Sequence, residues 1–337
     1  PPPPPPPHSH PHPHPHPHPH PHPALSSLLT NATYHHARSR RAQHTHTHHA
    51  TINNNNNNHH NLPITPRHSK DRGPFVEDED HRRLRYAYGV CEKQGKRPYM
   101  EDRHVVLGMV GGEAVTLYGV FDGHGGQQAA QYCKDNVGDA LLRSLDFPEN
   151  PEEAMRDAIL ALDDEYLAKA RSENRDDGTT LVLAMAHKGR ISVANVGDSR
   201  AVLVMGNGEA KDLSEDHKPN SDSERKRIEA LGGSVIFWGV WRVEGVLAVS
   251  RAIGDRMLKD YVTAEPDFVH HDVGPDDSFV IIASDGLWDV IDSAEAAKIC
   301  SDIKDAQDAA DVLASEAYHR GSADNICVLV MDLRTPQ

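Results

Sequence analysis

Apolar residues along this chain gather in short bursts set off by glycine, proline and charge. Tyr86–Cys91, Val105–Val110 and Val115–Phe121 are apolar, β-branched or aromatic runs of strand length. A helix is predicted to open at Gly125-Gly126 and run to about Leu145. A second follows Pro151, a residue suited to an early helix position, and reaches about Arg171. Thr179–Ala186, Ile191–Val196 and Ala201–Met205 read as successive antiparallel strands, the last closed by the turn Gly206-Asn207-Gly208. Ser223–Leu231 reads as a short charged helix stopped by Gly232-Gly233. Phe279–Ala283 is an interior strand, Ala294–Cys300 and Ala306–Tyr318 are helices, and Ile326–Met331 is a closing strand. Strands come in runs and helices in pairs between them, which predicts an α+β layered domain rather than a βαβ repeat.

The pattern fails over the first 82 residues, which predict a disordered Pro/His/Asn-rich extension ahead of a folded domain at 83–335. Seven prolines lead into His-Pro alternation, and six asparagines fill 53–58. Such a segment has too little apolar surface to offset its ordering entropy. Its prolines favour polyproline II, its histidines could bind transition metals, and 24–50 has a faint transit-peptide composition. Charge is divided as unevenly. No acidic residue precedes Asp71, whereas five Lys or Arg do. With −15 for the whole chain, residues 71–337 carry about −20. An acidic body argues against nucleic acid as the partner. Cys91, Cys133, Cys300 and Cys327 form no CxxC pair, which argues against zinc clusters and suits free thiols in a reducing compartment. No apolar run nears the ~18 residues of a membrane span.

Three aspartates stand where apolar strands end or begin: Asp122 in Phe121-Asp-Gly-His-Gly-Gly126, Asp285 in Ala283-Ser-Asp-Gly286, and Asp324 in Ser322-Ala-Asp-Asn325. Carboxylates at strand ends can converge on one point, and converging hard oxygens bind Mg²⁺ or Mn²⁺. Metal-assisted hydrolysis of a phosphate ester is the chemistry that follows. Asp122 is the candidate to bridge two ions, with Gly123 leaving its carbonyl free to approach a cation. Taken singly, Asp285 or Asp324 could be a turn former or helix cap, and Asp198 in Gly197-Asp-Ser-Arg200 is most simply a hairpin turn. His124 could protonate a leaving alkoxide, and Arg97 could hold a phosphate in its guanidinium fork. No Walker loop occurs, which agrees with attack by water.

Seven strings in order resemble the metal-dependent protein Ser/Thr phosphatases, the PPM or type 2C family, with plant or algal members most similar. They are Arg97…Met100-Glu-Asp102, Phe121–Gly126, Gly178-Thr-Thr180, Asn195–Arg200, Asp216-His-Lys-Pro219, Leu247–Asp255, and Ala283–Val290 with Asp324-Asn325. The likeness covers roughly 86–333, with Gly178-Thr-Thr180 standing where Gly-Ser-Thr is common. It implies a four-layer αββα sandwich, two antiparallel sheets flanked by helix pairs. It implies that Asp122 bridges two Mg²⁺ or Mn²⁺ ions per subunit, that Gly123 adds its carbonyl oxygen, and that Asp285 and Asp324 complete one ion's ligands. Glu101 and Asp102 match positions near the other ion, Asp198 and Asp289 positions linked to a weaker third ion, Arg97 the phosphate-binding arginine, and His124 the general acid. Residues 218–243 match a flap beside the cleft. There Trp238 is read as a local packing residue, with docking of a regulatory partner as the alternative.

The leading expectation is a monomeric phosphatase acting on phosphoserine and phosphothreonine proteins in cytoplasm or nucleus, a plastid being the other compartment that suits free thiols. The competing expectation is a phosphoprotein-binding scaffold with a metal-binding His-rich tail. A two-metal nuclease is disfavoured by the lack of a basic groove.

Overall fold

The computed structural model describes residues 86–336. The expectations for the Pro/His/Asn-rich extension, its metal binding and its transit-like stretch lie outside the described residues. The first sheet runs in the order β1 (Tyr86–Lys93), β15 (Ile326–Pro336), β14 (Asp277–Ala283), β8 (Arg200–Met205), β9 (Ala210–Asp212). The second runs β13 (Asp267–Asp272), β7 (Arg190–Val196), β6 (Leu181–His187), β3 (Val115–Phe121), β2 (Arg103–Leu107). Every pairing in both sheets is antiparallel.

The apolar runs lack visible alternation because their strands are buried on both faces. Along β3, Leu117 and Phe121 face helices α1 (Gln128–Arg143) and α2 (Pro151–Glu173), while Tyr118 and Val120 face the other sheet. Along β14, Phe279 and Ile281 face α5 (Ser293–Cys300) and α6 (Ala306–His319), while Val280 and Ile282 face inward. Three apolar layers therefore separate four layers of structure, αββα, as the family resemblance implied.

The element boundaries depart from expectation in instructive places. The strand expected over Val105–Val110 begins at Arg103 and stops at Leu107, and Val110–Gly112 is a 3₁₀ turn. The helix expected from Gly125 starts at Gln128, because Gly125 (φ 68°) and Gly126 (φ 144°) are held outside helical backbone geometry. Strand β13 was not foreseen; its Asp-Phe-Val-His-His-Asp sequence is an edge with mostly exposed or half-buried positions. Residues 218–243 form a separate unit, helix α3 (Asp222–Ala230) and the hairpin of β10 (Val235–Trp238) and β11 (Val240–Val243), packed on a small core of Ile228, Val235, Val243, Val249 and Val262. Trp238, expected to pack locally, sits at the hairpin tip and is 77% exposed; Trp241 packs against that core instead.

Candidate active site

Antiparallel register gathers the acidic residues at one end of the sandwich. Arg103 opens β2 opposite Phe121, which closes β3, so Asp102 and Asp122 leave the second sheet side by side. In the first sheet Ala283, closing β14, pairs with Arg200 at the start of β8 and with Val328 near the start of β15. Asp285, Asp198 and Asp324 therefore emerge at that same end. Asp285 opens a single helical turn, α4 (Asp285–Trp288), and Asp289 follows it.

Hydrogen bonds tie these segments together across the two sheets. The buried Ser284 hydroxyl donates to Asp102 Oδ2 (2.7 Å) and accepts from the Cys327 amide (3.0 Å). Asn325 accepts from the Glu101 amide (2.8 Å) and donates to the Gln94 and Tyr99 carbonyls (2.7 and 2.9 Å). The Asp122 carbonyl accepts from the Thr180 amide (2.9 Å), and the Thr180 hydroxyl meets Ser199 at 2.7 Å. These partners show how the loop before β2 and the Asp324 segment are fixed, and sequence reasoning had not singled out Ser284 or Asn325 as side chains. Arg97 lies on that loop, half-exposed, and donates to Asp324 Oδ2 at 2.5 Å. Lys218 pairs with the buried Asp198.

The electrostatics follow from crowding like charges in a poorly hydrated place. Burial, with Asp285 and Asp324 nearby, pushes the Asp102 carboxyl up to about 7 despite its bond from Ser284. Burial also drives Asp122 and Asp285 well above the ordinary carboxylate range. The charges of Asp102, Asp198 and Asp324 add to that for Asp122, and those of Asp122, Asp198, Asp289 and Asp324 for Asp285. Asp289 is raised by burial and by Asp198, with Lys218 opposing. Burial lowers Lys218, but the Asp198 charge outweighs it and the ammonium is held above its usual range. His124 leaves the carboxylates toward another partner: its Nε2 lies 2.8 Å from Asp255 Oδ2. Burial opposes the imidazolium there, and the Asp255 carboxylate more than offsets it.

Every residue nominated from sequence thus lies at this end of the sandwich. Asp102, Asp122, Asp198, Asp285, Asp289 and Asp324 interact with one another, and Arg97, Gly123, His124 and Glu101 border them. The cations that touch this group among the described residues are Arg97 and Lys218. A set of six clustered carboxylates with two cationic partners is a donor set suited to hard divalent cations, which would relieve the repulsion recorded in the raised carboxyls. A groove of about 550 Å³ opens alongside, lined among others by Gln94, Tyr99, Glu101, Arg103, Gly126 and Gln127.

Residues 86–326 match the family model described as Protein phosphatase 2C. The chain is 47% identical over 265 residues to Probable protein phosphatase 2C 59 of Arabidopsis thaliana, covering 78% of this chain and 85% of that relative. It is 46% identical over 244 residues to Probable protein phosphatase 2C member 13, mitochondrial, of Oryza sativa subsp. japonica, covering 72% and 67%. Among solved structures, the serine-threonine phosphatase 2C of Toxoplasma gondii superposes with a TM-score of 0.66 at 27% identity, covering 74% of this chain and 97% of that one. A sex-determining protein of C. elegans superposes with a TM-score of 0.69 at 27% identity, covering 75% and 66%. No helix among the described residues is long and apolar enough to cross a membrane.

Proposed function

The chain belongs to the protein phosphatase 2C family and is a metal-dependent protein serine/threonine phosphatase, and we propose that it hydrolyses phosphoserine and phosphothreonine esters at the cluster of Asp122, Asp285 and Asp324. The observation that carries this reading is the gathering of remote carboxylates by the antiparallel register, with two cations against six acids. Asp122, the Gly123 carbonyl, Asp285 and Asp324 would hold two Mg²⁺ or Mn²⁺ ions. Glu101 and Asp102 would act near one of them, partly through water, and Asp198 with Asp289 would serve a weaker third. When bound, such ions supply a water nucleophile of lowered pKa and neutralise charge on the phosphoryl group.

The chain's own groups do the rest. Arg97, on an exposed loop at the mouth of the cluster, presents a guanidinium that can leave Asp324 for the phosphoryl oxygens of a substrate. His124 holds a proton for the leaving oxygen, with its charged form favoured by Asp255. The hydrogen bonds of Ser284, Asn325 and Thr180 hold these carboxylate-bearing segments in place, so that little reorganisation is needed on binding. The exposed flap carries Phe237 and Trp238, which suits it to meet protein substrates or a regulator. The catalytic domain spans 83–335 on this reading, acts as a monomer, and works in cytoplasm or nucleus, or in a plastid.

The test is turnover of a phosphothreonyl peptide with and without Mg²⁺ or Mn²⁺. Asp122→Ala and Asp285→Ala should each remove most activity, and excess chelator should do the same to the unaltered protein. Brisk turnover in chelator, or in either variant, would rule the proposal out. Binding of phosphopeptide with no turnover of even an aryl phosphate would favour the scaffold instead.

A further inference from the structure

Asp255 lies 131 residues from His124 in sequence, and the structure brings them to a single hydrogen bond of 2.8 Å. Three two-residue strands make that meeting. Strand β4 (Gly123–His124) pairs with β5 (Gly178–Thr179), and β5 pairs with β12 (Ile253–Gly254), all antiparallel. His124 therefore stands opposite Gly178, and Gly178 opposite Gly254. The His124 and Asp255 side chains meet over Gly178, which has none. A Cβ on Gly178 would fall 2.1 Å from Asp255 Oδ2 and 2.6 Å from His124 Nε2, inside the space the hydrogen bond occupies.

The carboxylate side of this pair is itself built. Asp255 is 5% exposed, and its backbone sits in the left-handed region (φ 50°), an arrangement that favours glycine but admits aspartate. Its amide donates to the Asp177 carbonyl (3.2 Å), and the Gly254 amide beside it donates to Asp163 Oδ1 (2.9 Å). A Cβ on Gly254 would lie 2.6 Å from the Asp177 carbonyl oxygen, so that backbone approaches as closely as it can. Asp177 accepts from the Ala129 amide near the start of α1 (3.0 Å) and from Arg175 (3.1 Å). The backbone that carries Asp255 is thus anchored to two helices, through Asp177 to α1 and through Asp163 to α2.

We propose that Asp255 is the positioning residue for His124, fixing its ring by accepting the Nε2–H bond so that Nδ1 is the nitrogen that delivers a proton to the leaving oxygen. The inference rests on the reading of His124 as proton donor given above. As the bond from phosphorus to the seryl or threonyl oxygen breaks, its electron pair goes to that oxygen, which takes the Nδ1 proton. The oxygen of water forms the new bond to phosphorus, and its proton leaves with orthophosphate or to solvent. A proton from solvent then restores the imidazolium. Holding a ring in one orientation through the far nitrogen is how a buried carboxylate commonly serves a working histidine.

A structural role alone would slow all substrates alike; a role in leaving-group protonation would not. The full chain, loaded with Mn²⁺, is assayed on a phosphothreonyl peptide, whose alkoxide needs a proton, and on p-nitrophenyl phosphate, whose phenolate does not. Asp255→Asn should lower kcat on the peptide by about a hundredfold, leave its KM nearly unchanged, and leave the aryl phosphate nearly unaffected. His124→Ala should show the same selective loss, and the double variant should lose little more than either alone. If His124→Ala is selective and Asp255→Asn is not, the positioning role is overturned while the proton-donor reading stands. If His124→Ala slows both substrates alike, that reading fails and the inference falls with it. A measurement independent of activity guards against misfolding. The His124 Nε2 proton should appear as a downfield, slowly exchanging resonance in the native protein and vanish in Asp255→Asn with the remaining amide spectrum intact; its absence from the native protein also overturns the proposal.

Discussion

A methyl group on Gly286 would lie 1.8 Å from the carbonyl oxygen of Asn325. That oxygen belongs to backbone, so no rotamer change can relieve the clash. Gly286 follows Asp285 and Asn325 follows Asp324, so the absent side chain is what lets two of the acidic segments touch. Gly286→Ala should therefore destabilise the fold by about 1–3 kcal/mol and also depress turnover of every substrate, because Asp285 and Asp324 are forced apart. Thermal unfolding and turnover of an aryl phosphate check both. Trp238→Ala, at the 77% exposed hairpin tip, should move stability by no more than about 0.5 kcal/mol. At this scale Asp122, Asp285 and Asp324 were legible, because each stands at the edge of an apolar run that must become a strand, whereas Asp102, Asp198 and Asp289 were nominated only by resemblance. Gly286 was legible only as a turn former, and Asp255 not at all as a partner of His124, since 131 residues and three short strands lie between them.

The flap is held as an element by one buried carboxylate. Glu224 on α3 is 2% exposed and accepts from Arg251 (2.8 Å), Arg227 (2.9 Å) and the Ser250 hydroxyl (2.7 Å). Arg251 continues to Asp267 on β13 (2.9 Å), whose other oxygen meets His217 at 3.1 Å. Burial works against the Glu224 charge, but the Arg251 and Arg227 bonds win and bring its carboxyl down to about 2 from an ordinary 4.5. The folded value lies below the unfolded one, so the stabilisation is complete above about pH 4.5 and is lost as pH falls toward about 2. By linkage it amounts to about 3 kcal/mol. Acidification through that window should release the flap, seen as a change in emission from Trp241, and Glu224→Gln should shift the release to higher pH. An unchanged acid transition in that variant would disprove the clamp. The helix was legible from Ser223–Leu231, but the clamp was not. Strands β3, β6, β14 and β15 announce themselves by near-continuous apolar runs, whereas β13 carries charge and histidine and owes its place to pairing with β7 and to Arg251.

Across the whole molecule, two sheets pressed face to face leave their ends free, and the acidic residues collect at one of them. The apolar layers supply the stability that such a collection costs. Asp122 and Asp285 are pushed well above the ordinary carboxylate range, by burial first and by their neighbours next. For an acid whose folded value is raised, ionisation favours the unfolded chain, so metal-free protein should lose stability as pH rises above about 4 toward neutrality. Asp122→Asn removes the charge at the centre of the crowd. It should abolish activity yet raise the unfolding temperature of the metal-free protein at pH 7.5. Divalent cation should separate the two proteins: at a hundred times its Kd it stabilises the native one by about 2.7 kcal/mol, and it should barely move the variant. Calorimetric scans with and without Mn²⁺ decide the matter. If the metal-free native protein proves more stable than Asp122→Asn by the usual cost of a buried substitution, the carboxylates are not straining the fold, and the cluster is no waiting cation site.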